Sequence, residues 1–364
     1  MKRLLINLAR ILLTAGFLFL ALRMVRFGDS WYVRTVDGRD AVATAVDGSK
    51  AVLESGEGVL VIESKTVRRE GFTSILKRVD KLRMAGLAAL LIVPVVIMSA
   101  RWRLLMRANG FEVSFGRVFL VNYAGSFFNT FLPGGVGGDI AKAVMTASGE
   151  ERKAAAVATV LLDRIIGLVA MILMAAVAVI PFIGDPAMRN PVIIIAVLFG
   201  GLVLGYPIYF SRGLRESRLG QWMKQRLPFV RTLAAIDGVM HTMKHSGRTI
   251  VLALLLSLAT QAWTIVVVWL MAREMAMSPA PTLAQFFLFE PIIFIVTAVP
   301  LSIGGWGVQE GAYRLLLGLA GVAPNEAIAL SLIFKVGLLT VSIPGGILFA
   351  LGAAKRRPVA APPS

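Results

Sequence analysis

NTFLPGGVGGD, residues 129–139, sets four glycines, a proline and an acid into a chain that is otherwise strongly apolar. Of 364 residues, 57% are hydrophobic and only 16% charged, and the mean hydropathy is +0.77. That balance lies outside the range of soluble domains and describes an integral membrane protein. Apolar runs near the roughly 20 residues needed to cross hydrocarbon occur at Leu4–Val25, Met84–Ala100, Ala154–Ile183, Val192–Phe210, Val251–Met271 and Ala327–Leu351. A glycine-rich break among such runs needs a reason, because non-helical backbone at membrane depth survives only where protein or a wet cavity satisfies its amides.

Charge narrows the choice. The net charge of +17 would indicate nucleic acid in a soluble protein, but in a membrane protein basic residues collect in cytoplasmic loops, and nucleic-acid binding is set aside. Lys2 and Arg3, the group Arg101, Arg103 and Arg107, the stretch Ser211–Arg248 with eight basic against two acidic residues, and Lys355–Arg357 all read as cytoplasmic. Lys77, Arg78, Lys81 and Arg83 crowd the opposite end of the second span and argue the other way. If Arg101–Arg107 and Lys142–Lys153 share one side, the apolar segment Val118–Leu132 must enter the membrane and return. The glycines then mark the turn of a re-entrant element. The competing reading is a Gly134-xxx-Gly138 helix-packing motif.

A second stretch bears on that choice. TAVPLSIGGWGVQEGAYR, residues 297–314, repeats the order of apolar run, proline, Gly-Gly-x-Gly and acid. Gly134, Gly135, Gly137 and Asp139 in the first stretch correspond to Gly304, Gly305, Gly307 and Glu310 in the second. Lys142 follows Asp139 by three residues and Arg314 follows Glu310 by four, both spacings that share a helix face. Paired glycine-broken segments in two halves point to a transporter's binding site, since broken helices aim backbone N–H groups at anions near the midplane. Neither stretch ends in Gly-Lys-Ser/Thr, so a nucleotide-binding loop is excluded.

Further polar groups lie inside apolar runs. VLLDRIIGL carries Asp163 and Arg164, and FFLFEPIIF carries Glu290 beside Pro291. Ionisable groups there are costly and are functional candidates by default. The alternative is a structural ion pair, for instance Arg164 with Asp139 or Glu310. Asn122, Asn129 and Gln261 can complete the hydrogen bonding. The two histidines, His241 and His245, lie on a basic stretch without an acidic partner and do not read as a metal site. There is no cysteine, and no cofactor is implied.

Residues 28–66 differ from the rest. Val-Asp-Gly at 36–38 and 46–48, with β-prone runs between, predicts a three- or four-stranded module with Asp-Gly hairpin turns. It reads as an extracytoplasmic appendage able to bind a protein partner. The division is a first transmembrane helix at 1–27, the β module at 28–66, a linker at 67–83, a helical bundle at 84–352 and a cytoplasmic tail at 353–364, with both termini cytoplasmic. The fold class is an all-α polytopic membrane bundle with two broken or re-entrant helical motifs, compatible with an internal inverted repeat, plus a small β insertion after the first span.

GSFFNTFLPGGVGGDIAKA, LLDRIIGL and PLSIGGWGVQEGAYRLLLGLAG, preceded by ARWRLLMRANG, resemble the flippase-like family named for the transmembrane region of lysylphosphatidylglycerol synthase. The likeness runs from about Met84 to Leu351 and leaves the β module outside. It implies a bundle of roughly eight helical elements that moves lipids or lipid-linked headgroups between leaflets of the cytoplasmic membrane. The family's motifs fall on Asn129, Leu132, Pro133, Gly134, Gly137, Gly138 and Asp139; on Asp163, Arg164 and Gly167; and on Gly304, Gly305, Gly307 and Glu310. Lys142 stands where arginine is common, which keeps charge but loses the bidentate fork. The aminoacyl-transferring domain of the bifunctional synthases is not found, so aminoacylated lipid is not an expected product.

Together these readings give a site of Asn129, Gly134, Gly135, Gly137, Gly138, Asp139, Lys142, Asp163, Arg164, Glu290, Gly304, Gly305, Gly307, Glu310 and Arg314 around a lipid phosphate. The partner is a membrane lipid with an anionic headgroup. The alternatives are a membrane enzyme using Asp139, Asp163 and Glu310 as acid, base or magnesium ligands, and a non-transporting scaffold.

Overall fold

A computed structural model describes residues 27–34, 40–47, 50–53, 58–60, 67–131, 138–139, 142, 150–210, 247–299, 302 and 304–351. The expected first helix, the basic stretch up to residue 246, both histidines, Gly134, Gly135, Gly137 and the tail lie outside the described residues.

Among the described residues the β module at 28–66 has four strands, β1 (Ser30–Arg34), β2 (Asp40–Asp47), β3 (Lys50–Leu53) and β4 (Gly58–Leu60), and a fifth, β5 (Val67–Arg69), joins them from beyond it. They form one antiparallel sheet in the order β4-β3-β2-β1-β5. Asp47 pairs with Lys50, so the two connecting residues are Gly48 and Ser49 and the Asp-Gly signal is displaced by one position. Val33, Ala43 and Ala51 form its small core. Residues 67–83, read as a linker, hold β5, helix α1 (Phe72–Arg78) and the start of α2 (Lys81–Ala89). With one valine and two arginines, VRR gives β5 no apolar alternation to read.

Arg78 fastens this region to the bundle. Its guanidinium donates to the Met275 carbonyl at 2.7 Å and pairs with Glu70 at 2.8 Å and Glu326 at 3.4 Å. Arg83 similarly meets Asp80 and Glu274 at 3.5 and 3.8 Å. Arg78 and Arg83, two of the four residues of that basic cluster, are therefore compensated locally by acids.

The bundle comprises α2, α3 (Ile92–Ala108), α4 (Phe115–Phe131), α5 (Glu150–Ala178), α6 (Arg189–Phe210), α7 (Gly247–Glu274), α8 (Leu283–Ala298), α9 (Val308–Leu319) and α10 (Pro324–Ala350). Among the described residues, five stretches are long and apolar enough to cross a bilayer: Lys81–Ala108, Ala156–Ala178, Pro186–Leu204, Gly247–Glu274 and Pro324–Ala350. Large apolar side chains such as Val177, Val197, Leu204, Leu255 and Ile347 cover the outer surface, as hydrocarbon requires and water would not favour. The protein is a multi-pass membrane protein.

Side-chain contacts fix the directions. The α2–α3 span runs antiparallel to α7, with Arg83 near Glu274, the Leu90 carbonyl accepting from Trp263 Nε1 at 3.0 Å, and Arg101 reaching Ser257. The chain leaves the far end of α3, and Phe111 and Val113, just before α4, share a cluster with Ala156 and Val160 of α5. The chain before α4 and the early part of α5 thus lie at the same end of the bundle. At the opposite end of α7 the same happens again: a Cβ on Gly321, after α9, would lie 3.0 Å from Pro279, before α8. The two re-entrant elements enter from opposite ends of one antiparallel pair, which is the arrangement of an inverted repeat.

Close backbone approach joins the two halves. A Cβ on Gly345 of α10 would collide with the Tyr123 carbonyl of α4, and one on Gly346 would lie 2.7 Å from the Phe127 ring. The Tyr123 hydroxyl donates to the Val341 carbonyl at 2.7 Å. Small residues permit such contact between membrane helices, where packing rather than water exclusion drives association. Gly345→Leu is expected to destabilise the protein by about 1–3 kcal/mol or more through overpacking, read as a lower midpoint in thermal unfolding of detergent-solubilised protein.

Candidate functional site

The DRIIG motif of α5 separates into two roles. Asp163 accepts from Arg101 Nε at 2.7 Å, and Arg101 Nη1 donates to Ser257 Oγ at 2.6 Å. The Arg101 and Asp163 side chains are only 5% and 6% exposed. A Cβ on Gly167 would lie 3.4 Å from Arg101 Nη1, so the glycine one turn after Asp163 makes room for the guanidinium. Arg101 is therefore an interior group of α3 and not a loop charge. The aspartate neutralises it, and Ser257 satisfies a further donor.

Arg164, the next residue, points elsewhere. Its Nη1 donates to Asp139 Oδ2 at 2.7 Å, and Lys142 Nζ lies 3.9 Å from Asp139 Oδ1. This is the ion pair that the sequence offered as the structural alternative. Arg164 keeps 32% of its side chain exposed and Asp139 21%, whereas Lys142 is buried. The Lys142 ammonium sits 5.4 Å from the Trp102 ring centroid, a contact that stabilises a desolvated cation. Beside them, Asn129 Oδ1 accepts from the Gly138 N–H at 2.7 Å. A Cβ on Gly138 would clash with the Gly125 carbonyl, so the segment after the glycine run lies directly on α4.

The second element repeats this chemistry with different suppliers. Gly304, Gly305 and Gly307 have φ of 56°, 70° and 82°, left-handed backbone that favours glycine. Glu310 Oε2 accepts from the Gly307 N–H at 2.6 Å and closes the start of α9. Its other oxygen accepts from Lys335 Nζ of α10 at 2.9 Å, and the two side chains are 1% and 5% exposed. The Lys335 ammonium sits 4.4 Å from the Trp306 ring centroid. Each half thus holds an acid, a lysine and a tryptophan together. Arg314, matched to Lys142 by spacing, is partly exposed and makes no ion pair among the described residues; the lysine that meets Glu310 comes from another helix.

Glu290 stands apart from both centres and accepts from the Tyr313 hydroxyl at 2.5 Å. Close by, α5, α7 and α8 border an apolar groove of about 490 Å³ that includes Met174, Leu258 and Phe287, suited to an acyl chain. Among the interior acids, Asp139, Asp163 and Glu310 each meet a cation, and among the described residues no three acidic or histidine side chains converge.

The sequence reading missed Lys335, Trp102, Trp306, Tyr313 and the interior place of Arg101. Lys335 carried a usable signal, being a single cation within the apolar run ALSLIFKVGLLTV. The Arg101–Asp163 pair is testable as a cycle. Asp163→Asn is expected to cost about 3–5 kcal/mol by leaving a buried guanidinium unneutralised, whereas Arg101→Met with Asp163→Leu recovers most of the loss. Thermal unfolding of the single and double variants measures the coupling.

Comparison with known proteins follows this geometry. No curated protein sequence matches the chain. The family model described as the lysylphosphatidylglycerol synthase TM region matches residues 51–345. The match begins in β3, earlier than Met84, and takes in most of β3 with β4 and β5, while β1 and β2 lie outside it. Spanning both glycine elements, both acid–lysine–tryptophan sets and the DRIIG motif, this match shows that the chain belongs to the lysylphosphatidylglycerol synthase transmembrane-region family.

Proposed function

We propose that the protein is a flippase-like translocase that moves a phosphate-bearing lipid or lipid-linked headgroup across the cytoplasmic membrane. The family is one of membrane proteins of lipid metabolism and transport. The observation that carries the finer reading is the pair of re-entrant elements entering from opposite ends, each with a charged centre at its turn. Such a pair offers a headgroup polar contacts from either side while the outer surface stays apolar.

The division of labour follows from which donors are already engaged. Gly307 N–H is taken by Glu310 and Gly138 N–H by Asn129, so these two motif amides shape the turns. Arg101 is enclosed by Asp163 and Ser257. Arg164 combines a planar fork of donors with the greatest exposure among the interior cations in ion pairs. It is the group assigned to the lipid phosphate, with Asp139 holding it in place between encounters and Lys142 adding charge beside it. An acyl chain would lie along the groove bordered by Met174, Leu258 and Phe287.

In this reading the end of the bundle carrying Arg78, Arg83 and the sheet faces outside, and the end at which α3 ends and α7 begins faces the cytoplasm. Local ion pairing of Arg78 and Arg83 and burial of Arg101 remove those three residues from the orienting charge count.

Leaflet exchange of fluorescent phospholipid in proteoliposomes tests the proposal. Arg164→Ala should slow exchange by about tenfold or more, since a charge-assisted hydrogen bond contributes roughly 1.5–3 kcal/mol and about 1.4 kcal/mol is a factor of ten. Arg164→Lys should retain an intermediate rate. Equal rates in wild type and Arg164→Ala would remove Arg164 from the lipid path.

A further inference from the structure

One acid in the bundle is treated differently from the others. Asp163 lies 2.7 Å from Arg101, Asp139 2.7 Å from Arg164 and Glu310 2.9 Å from Lys335. Glu290 has no cation within ion-pair distance among the described residues, and its hydrogen-bond partner is the hydroxyl of Tyr313, which is fully buried. It occupies the middle of the apolar helix α8, between Phe289 and Pro291, both buried. Glu290 itself is partly exposed, and an isolated carboxylate among apolar groups is costly, a cost that holding a proton would remove.

The neighbouring elements supply no substitute counter-ion. The residues of α5, α6 and α7 clustered with α8 are apolar, Met174, Ile195 and Val268 among them. Of the charges on these helices, Asp163 meets Arg101, Arg164 meets Asp139, Glu274 meets Arg83, Arg273 lies over the Trp269 ring, and Arg189 and Arg248 are exposed at the helix starts. On α9, Glu310 is engaged with Lys335, and Arg314 is partly exposed without an ion pair among the described residues. Pro291 also lacks the N–H that would bond the Phe287 carbonyl, which leaves an acceptor one turn from the acid.

We propose that Glu290, held by Tyr313, is a proton-binding site that links movement of the second glycine element to a proton gradient. The proton-binding half stands on the local geometry alone; the link to transport rests on the translocase reading. Binding joins a proton to one carboxylate oxygen, and release returns it, with no other bond made or broken. Release leaves a negative charge stabilised by one hydroxyl. That charge favours any shift of α9 that admits water or a cation. Tyr313 lies one turn from Glu310, which closes the Gly304–Gly307 turn. A single twelve-residue helix therefore carries the protonation state of Glu290 to that turn.

Infrared difference spectroscopy of the full-length protein in lipid reads the site directly. At neutral pH the wild type should show a protonated-carboxyl C=O stretch that is missing from Glu290→Gln and shifted in Tyr313→Phe. The absence of any such difference between wild type and Glu290→Gln would overturn the proton site. In proteoliposomes, an imposed pH difference should change the wild-type lipid-exchange rate severalfold, whereas Glu290→Gln, whatever its absolute rate, should give the same rate with and without the gradient. Wild-type exchange that ignores the gradient would overturn the coupling. Vesicles in which the wild type exchanges no lipid under any condition would sink the translocase reading and the coupling together, with the infrared band still deciding the proton site.

Discussion

A charge inside hydrocarbon must be matched by an opposite charge, and most of this bundle's interior is arranged around that constraint. Arg101 with Asp163 joins α3 to α5, and Ser257 brings in α7. Lys335 with Glu310 joins α10 to α9, and Arg164 with Asp139 joins α5 to the first glycine element. Each pair is a cross-link between segments that would otherwise share only apolar contacts, which hydrocarbon does not favour over lipid. The pairs set which helices are neighbours and in what register, and the glycines at the close approaches allow that register to be reached.

The membrane class, most of the span positions, the β insertion and the two glycine elements were legible because each leaves a local signal: continuous hydropathy, alternation with Asp-Gly, or an interrupted apolar run. Asp163, Arg164, Glu290 and Glu310 were legible as polar groups in apolar surroundings. Their partners were not, because pairing is a tertiary property. Nothing local in SARWRLLMR distinguishes Arg101, which turns inward to Asp163, from Arg103, whose Nε donates to the Val113 carbonyl at 3.0 Å. Arg314 seemed the natural counterpart of Lys142 by helical spacing, yet the cation at Glu310 arrives from α10. The motif likeness was real in chemistry and misleading in connectivity.

β5 shows the same limit in the sheet. VRR has no apolar alternation, and only its pairing with Ser30–Tyr32 makes it a strand. Once paired, it brings Glu70 and Arg78 to the end of α10, where Asn325 donates to the Glu70 carbonyl at 3.2 Å. The insertion is thereby held to the bundle by polar contacts, which explains why charged residues crowd a stretch that resembled a linker.

The two halves share parts but not tightness, and that difference bears on how they divide the work. In the second half the acid and lysine are almost fully enclosed, the lysine belongs to a long helix, and the glycine amide is closed by the acid itself. In the first, the acid is bridged to a partly exposed arginine, and the lysine comes from the same short segment as the acid. A charge with an engaged and enclosed partner has little left to offer a ligand, because capture would require breaking a desolvated pair. A partly exposed arginine gives up less when a phosphate displaces its carboxylate. Under the proposed translocase reading, lipid contact therefore belongs to the first half. The second half, with an uncompensated acid one helix face away from its turn, is the half built to respond to a change of charge.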